Sequence, residues 1–166
     1  MRKESAKIGF IGISGRGSGM LDLLLQVEGV TVHAVCDLIP ERAERGIEIV
    51  EDAVKNAQEN AQLNNITNAE FYCGAAEKLA PRLIKQGEKA DTVVLDPPRK
   101  GCDELTLDSI VRMSPKRIVM ISCNPATAAR DAKYLAEKGY APKKVRAFDL
   151  FPRTSHVECV CKFERQ

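Results

Sequence analysis

Apolar positions along the chain follow two alternating periods. "KIGFIGIS" (7–14) and "VTVHAVCD" (30–37) are short apolar runs that end in turn-forming or acidic residues, and they read as buried strands. Between them, "GSGMLDLLLQVEG" (17–29) has helical spacing and stops at a glycine. From Pro40 to Leu63 the apolar residues Ala43, Ile47, Val50, Val54, Ala57 and Ala61 recur at gaps of three and four. That spacing predicts one helix with Pro40 in its first turn. It puts Glu48 on the helix, despite Gly46, which costs ~1 kcal/mol relative to alanine. "AEFYCG" (69–74) predicts a short strand, and "AAEKLAPRLIKQG" (75–87) a partly helical stretch interrupted by Pro81. "ADTVVLDPP" (90–98) is a strand halted by two prolines. "DELTLDSIVRM" (103–113) is a helix, "KRIVMIS" (116–122) a strand, and "TAARDAKYLAEKG" (127–139) a helix closed by Gly139. "KKVRAFDLF" (143–151) and "HVECVCKFE" (156–164) end the chain as strands.

Strands that alternate with helices predict an α/β fold: a three-layer, Rossmann-like, doubly wound sheet of seven strands, mostly parallel, in one domain over residues 1–166. Only "PRTS" separates the last two strands, too little for a parallel crossover, so the final strand is expected to run antiparallel.

Composition narrows the function classes. Of 166 residues, 44% are hydrophobic and 29% charged, as in ordinary globular domains. A net charge of +2 supplies no global basic field, so any RNA contact rests on a local site. Apolar runs fall far short of the ~20 residues of a membrane span, which predicts no membrane partner. "MRKESAKIGFIGIS" starts basic, but Gly, Ser and Arg break its apolar stretch, unlike a signal peptide. The six cysteines form no CxxC pair, which suits reduced thiols in a cytoplasm and no bound metal. Nothing in the pattern fixes an oligomeric state.

In such a sheet, ligands bind at the carboxyl ends of the strands. Those ends hold the loop Gly12 to Gly19, Asp37, Asp96-Pro97-Pro98-Arg99 and Ser122-Cys123-Asn124-Pro125. A cysteine at a strand end is most often a small buried hydrophobe. Cys159 and Cys161 flank Val160 in a strand and share one face, so core packing is expected of them, as of Cys36, Cys73 and Cys102. His33 lies within a strand and reads as structural. His156 flanks Glu158, either orienting it or packing beside it.

Over about residues 47–166 the chain resembles the S-adenosylmethionine-dependent RNA 5-methyluridine (uracil-5) methyltransferases that act on tRNA and rRNA. "NAQLNNITNAEFYCGAAE", "VVLDPPRKGCDE", "ISCNPATAARD" and "FPRTSHVEC" carry the resemblance. It implies that Cys123 is the nucleophile that adds to uracil C6, and that Glu158 removes the C5 proton. It implies that Asp96 holds the uracil edge or the cofactor side of the pocket. Arg130 is expected to contact a phosphate or carboxylate of the substrate. Cys123 should stand before a helix N-terminus, whose dipole favours a thiolate.

Residues 1–46 instead resemble the nucleotide-binding start of the glucose–fructose oxidoreductase / inositol dehydrogenase family, through "GFIG", the "GRG" turn, "VCD" and "PERAER". Aligned as Gly12-x-Ser14-x-x-Gly17, the middle glycine of the dinucleotide fingerprint is replaced. Gly12, Gly15 and Gly17 remain as a cofactor cradle, with Asp37 as the ribose acid. The methyltransferase "GIEIV" (46–50) falls inside the expected helix, which leaves Glu48 as the competing ribose acid. A chimera of two doubly wound parents accounts for the pattern. Two other readings stand beside methyl transfer: an NAD-binding oxidoreductase-type domain, and a chimeric fold without physiological activity.

Overall fold

A computed structural model describes residues 6–11, 30–36, 45–67, 69–74, 76–150 and 152–166. Its elements in chain order are β1 (Ala6–Ile11), β2 (Val30–Cys36), α1 (Arg45–Leu63), α2 (Ala76–Lys85), β3 (Thr92–Leu95), α3 (Glu104–Met113), β4 (Arg117–Ser122), α4 (Pro125–Glu137), β5 (Tyr140–Phe148) and β6 (Glu158–Arg165). The described strands form one six-stranded sheet in the order β2-β1-β3-β4-β6-β5. β1, β2, β3 and β4 pair in parallel, while β6 runs antiparallel to both β4 and β5. This is the expected α/β architecture with an antiparallel last strand.

The core follows from alternation. Ile118 and Met120 of β4 and Cys159, Cys161 and Phe163 of β6 are buried in one cluster with Leu107 and Ile110 of α3 and Leu135 of α4. Val54, Ala57 and Ala61 of α1 are buried at the expected helical spacing, and Glu48 lies on that helix. Pro40 to Glu44, the stretch 17–29, the loop Gly12 to Gly19 and Asp37 lie outside the described residues.

Four local expectations change. "AEFYCG" forms no ladder strand: only Ala69 makes a single bridge, so the described sheet has six strands, not seven. Its tyrosine is engaged locally, with the Tyr72 hydroxyl donating to Glu70 Oε2 (2.7 Å). Pro81 does not interrupt α2, which runs through it. Burial of Ala80 and Leu83 on either side outweighs the one backbone bond that the proline removes. α4 begins at Pro125 rather than Thr127, because Asn124 caps it by accepting from Ala126 N–H (3.1 Å). Finally, β5 stops at Phe148 and β6 starts at Glu158, which leaves His156 in the connecting loop rather than within the strand.

Candidate active site

β3 and β4 deliver two loops to the same end of the sheet. Behind Leu95, which is fully buried, come half-buried Asp96, buried Pro97, and a turn in which Gly101 N–H donates to Pro98 C=O (2.8 Å). Behind Ser122 comes Cys123, half-buried, directly before the capping residue Asn124. Ser122 fixes the backbone here: Asn124 N–H donates to Ser122 Oγ, and that hydroxyl donates to Asn124 C=O, both at 3.2 Å. The cysteine thus sits in a short strand-to-helix turn, directly before the N-terminus of a 13-residue helix.

The two loops are tied to each other through α4. Asn124 Nδ2 donates to Arg99 C=O (3.0 Å), and Thr127 Oγ1 lies 3.2 Å from the same oxygen. Farther along, Asp131 is 1% exposed and works on two sides. Its Oδ2 accepts from Cys102 N–H (2.8 Å), while its Oδ1 accepts from Arg130 Nε (2.9 Å) and Nη2 (2.7 Å). Arg130 Nη2 donates in turn to the carbonyls of Lys100 and Cys102, both at 3.0 Å. Gly101 sits beneath this clasp with φ +80°; a Cβ there would collide with Arg130 Nη2 and lie 2.7 Å from Asp131 Oδ2. Arg130, expected to meet substrate, is here engaged in holding the Asp96–Cys102 loop.

β6 supplies the third part. Its antiparallel register with β4 ends on the pair Ser122–Cys159, so Cys123 and Glu158 both come next, at one end of the sheet. Glu158 is 5% exposed and pairs with Phe148 of β5. His156 lies in the loop before β6. Arg99 Nη2 lies 2.9 Å from His156 Nδ1 and 2.8 Å from Nε2, joining the "DPPR" loop to the "HVE" segment.

The thiols divide by environment. Burial pushes the Cys102 thiol well above the ordinary range, and the nearby carboxylates of Asp131 and Asp103 add to the effect. Burial likewise raises Cys161. Cys159 is buried, and Cys73 is exposed. No group of three or more metal-ligating side chains occurs among the described residues.

Of the cofactor residues expected from sequence, Asp96 is described, whereas Gly12, Gly15, Gly17 and Asp37 lie outside the described residues. Ile11 pairs with Leu95 and with Cys36, so β1 and β2 end at the same end of the sheet as Asp96. A carboxylate at that place is chemically suited to accept from ribose hydroxyls or an ammonium group, as S-adenosylmethionine presents. A cavity of about 620 Å³ occurs at the opposite end of β3 and β4, lined by Asp91, Ser114, Lys116 and Arg165. It meets none of these residues.

Sequence reasoning missed Asp131 and Thr127. Asn124, Thr127 and Asp131 stand at i, i+3 and i+7 and so share one helix face, a signal open to a sequence reader.

Comparison with known proteins matches the same segment. A family profile described as tRNA (Uracil-5-)-methyltransferase matches residues 45–166. An uncharacterized RNA methyltransferase of Bacillus cereus is 56% identical over 120 residues, covering 72% of this chain and 26% of that protein. One from Oceanobacillus iheyensis is 43% identical over 143 residues, covering 81% of this chain and 31% of that protein. The chain therefore spans about a quarter to a third of the curated relatives' length. The crystal structure of Pyrococcus abyssi tRNA (uracil-54, C5)-methyltransferase in complex with S-adenosyl-L-homocysteine superposes with a TM-score of 0.73 at 32% identity, covering 96% of this chain and 34% of that one.

Proposed function

Because the chain belongs to the tRNA (uracil-5-)methyltransferase family, we propose that it is the catalytic portion of an enzyme that methylates C5 of a uridine in RNA, with Cys123 as nucleophile and Glu158 as base. The observation that carries this reading is the β4–β6 register, which brings both residues to one end of the sheet.

Uracil C5 is too weak a nucleophile to take a methyl group unaided. Cys123 thiolate adds to C6, and the C5=C6 π electrons move into the ring carbonyl as an enolate. S-adenosylmethionine, which Asp96 would help to hold, would supply an electrophilic methyl group from its sulfonium and leave as the neutral thioether. C5 gains that methyl and still carries its proton. Glu158 takes the proton, the C5=C6 bond re-forms, and the C6–S bond breaks to return the thiolate. Asp96 holds the uracil edge or the cofactor. The clasp of Arg130 and Asp131 fixes the loop that carries Asp96, and the Arg130 side chain, 57% exposed, still offers a cation to a substrate phosphate.

Residues 1–46 form with 47–166 a single domain in this reading, in which the oxidoreductase-like segment is joined to the part that the family profile matches from residue 45. Gly12, Gly15, Gly17 and Asp37 then cradle the S-adenosylmethionine. Either tRNA or rRNA is the substrate, in a cytoplasm that keeps the thiols reduced. No described helix is long and apolar enough to cross a membrane.

The test is digestion of RNA incubated with the full chain and methyl-labelled S-adenosylmethionine. Label in 5-methyluridine supports the reading, and label in any other nucleoside, or none, contradicts it. Stabilisation by NAD but not by S-adenosylmethionine in a thermal shift would favour the oxidoreductase reading; a ligand at 100 times its Kd adds about 2.7 kcal/mol.

A further inference from the structure

Lys144, Arg146 and Phe148 stand at alternate positions of β5 and share one face of it. The register sets them beside Lys162, Val160 and Glu158 of β6, on the face opposite the one by which Cys159 and Cys161 enter the core. Among the described residues β5 pairs only with β6, and every residue from Pro142 to Leu150 is exposed. Phe148 keeps 42% of its surface and Leu150 59%. Lys162 is ion-paired with Glu164 (2.7 Å), whereas Lys144 and Arg146 form no ion pair among the described residues. The row has a direction: cations come first, then an aromatic ring, and the ring is paired with Glu158 at the site.

We propose that this edge strand is the track along which a single-stranded RNA segment reaches the site, with Lys144 and Arg146 on successive phosphates and Phe148 stacked on a base next to the target. The proposal rests on the methyltransferase reading of Cys123 and Glu158. Side chains two apart on a strand are ~7 Å apart, comparable with the phosphate spacing of an extended single strand. An exposed aromatic among cations is the combination that binds unpaired bases without reading sequence. A protein strand adding to this edge is the competing occupant. Pro142, which lacks an N–H, and the run Lys143, Lys144, Arg146 are features that block edge pairing, so charge complementarity favours the phosphate backbone. The chain's net charge of +2 makes such a local grip necessary.

The experiment uses the full chain, S-adenosylmethionine and a single-stranded RNA of about 12 nucleotides containing 5-fluorouridine, a length within the range of single-strand sites. Binding is measured against salt concentration, and the Cys123 adduct is measured by mass. Lys144→Gln/Arg146→Gln should weaken binding at least tenfold and flatten the log–log salt slope by about 1.4, or ~0.7 per phosphate contact. Phe148→Ala should weaken it about five- to 150-fold, the range for one stacked base. Both variants should still form the adduct at saturating RNA. Unchanged affinity and slope with a normal adduct would overturn the track alone. Binding that depends on these residues without any wild-type adduct would support the track and overturn the catalytic reading. A wild type that binds no RNA would overturn both.

Discussion

Ser122 of β4 and Cys159 of β6 form the last rung of an antiparallel ladder, and each is the chain neighbour of a residue proposed to act on uracil. Backbone pairing thereby brings the proposed nucleophile and the proposed base to one end of the sheet. Rigid strands place both, and the helix behind Cys123 is locked to the Asp96–Cys102 loop by Asn124, Thr127, Arg130 and Asp131.

That lock predicts a stability cost. Asp131→Ala leaves the buried Cys102 N–H without its acceptor and should destabilise the fold by about 1–3 kcal/mol. Urea unfolding measures it, and a loss below about 0.5 kcal/mol, the level of ordinary surface changes, would show that the clasp carries no load.

Gly101→Ala should be at least as harmful, through strain as well as collision. The backbone stands at φ +80°, and the new methyl would meet Arg130 and Asp131. A variant with wild-type thermal stability would contradict the placement of this turn.

The thiols should separate under alkylation. Cys102, Cys159 and Cys161 are buried, and the thiolate is disfavoured at Cys102 and Cys161, so all three should react slowly in the folded chain. Cys123 should react faster than these three. Cys73 is exposed, so exposure alone gives Cys123 no advantage over it; protection by RNA and S-adenosylmethionine should pick out Cys123. The raised Cys102 thiol also has a pH consequence. An unfolded thiol titrates near 9.0 while the folded one keeps its proton to higher pH. Its stabilising share is complete below that value and declines as pH rises above it, and Cys102→Ala should remove this part of the alkaline decline.

On the acid side, Asp108 of α3 meets Lys138 (3.0 Å) and the Tyr134 hydroxyl (2.9 Å) at α4. Those two hydrogen bonds hold its carboxyl below the ordinary range. Its stabilising share is present above the ordinary carboxylate pKa and is lost as pH falls through the lowered one. Asp108→Asn should flatten the acid limb slightly in thermal melts from pH 7 down to about 3; a steeper limb would contradict the sign.

Much of this was legible in the residues. Period-2 and period-3.6 spacing located β3, β4, β6, α3 and α4, because each buries one face against a common core. "AEFYCG" misled, since a strand requires a partner as well as a propensity, and no ladder forms there. Pro81 misled because a local penalty was outweighed by tertiary burial of Ala80 and Leu83. At the site, motifs pointed to Cys123, Asp96 and Glu158, and the sheet order sets their positions at one end. The clasp was not, because it joins groups as much as 30 positions apart whose meeting depends on the sheet order. Arg130 looked like a substrate cation in sequence, and its neighbours in space turn it toward the loop.

Glu158→Gln provides a separate check on the base. Proton removal from C5 is what releases the thiolate, so this variant should accumulate a covalent complex with ordinary uridine RNA. Complete turnover by the variant would remove Glu158 from the reaction.

Mass spectrometry of the full chain after incubation with 5-fluorouridine RNA and S-adenosylmethionine is the most direct test. Fluorine at C5 cannot leave as a proton, so addition and methyl transfer should stop at the covalent stage. The account predicts an RNA adduct mapped to Cys123 in the wild type and none in Cys123→Ala. An adduct on another cysteine, or one that survives Cys123→Ala, would contradict it.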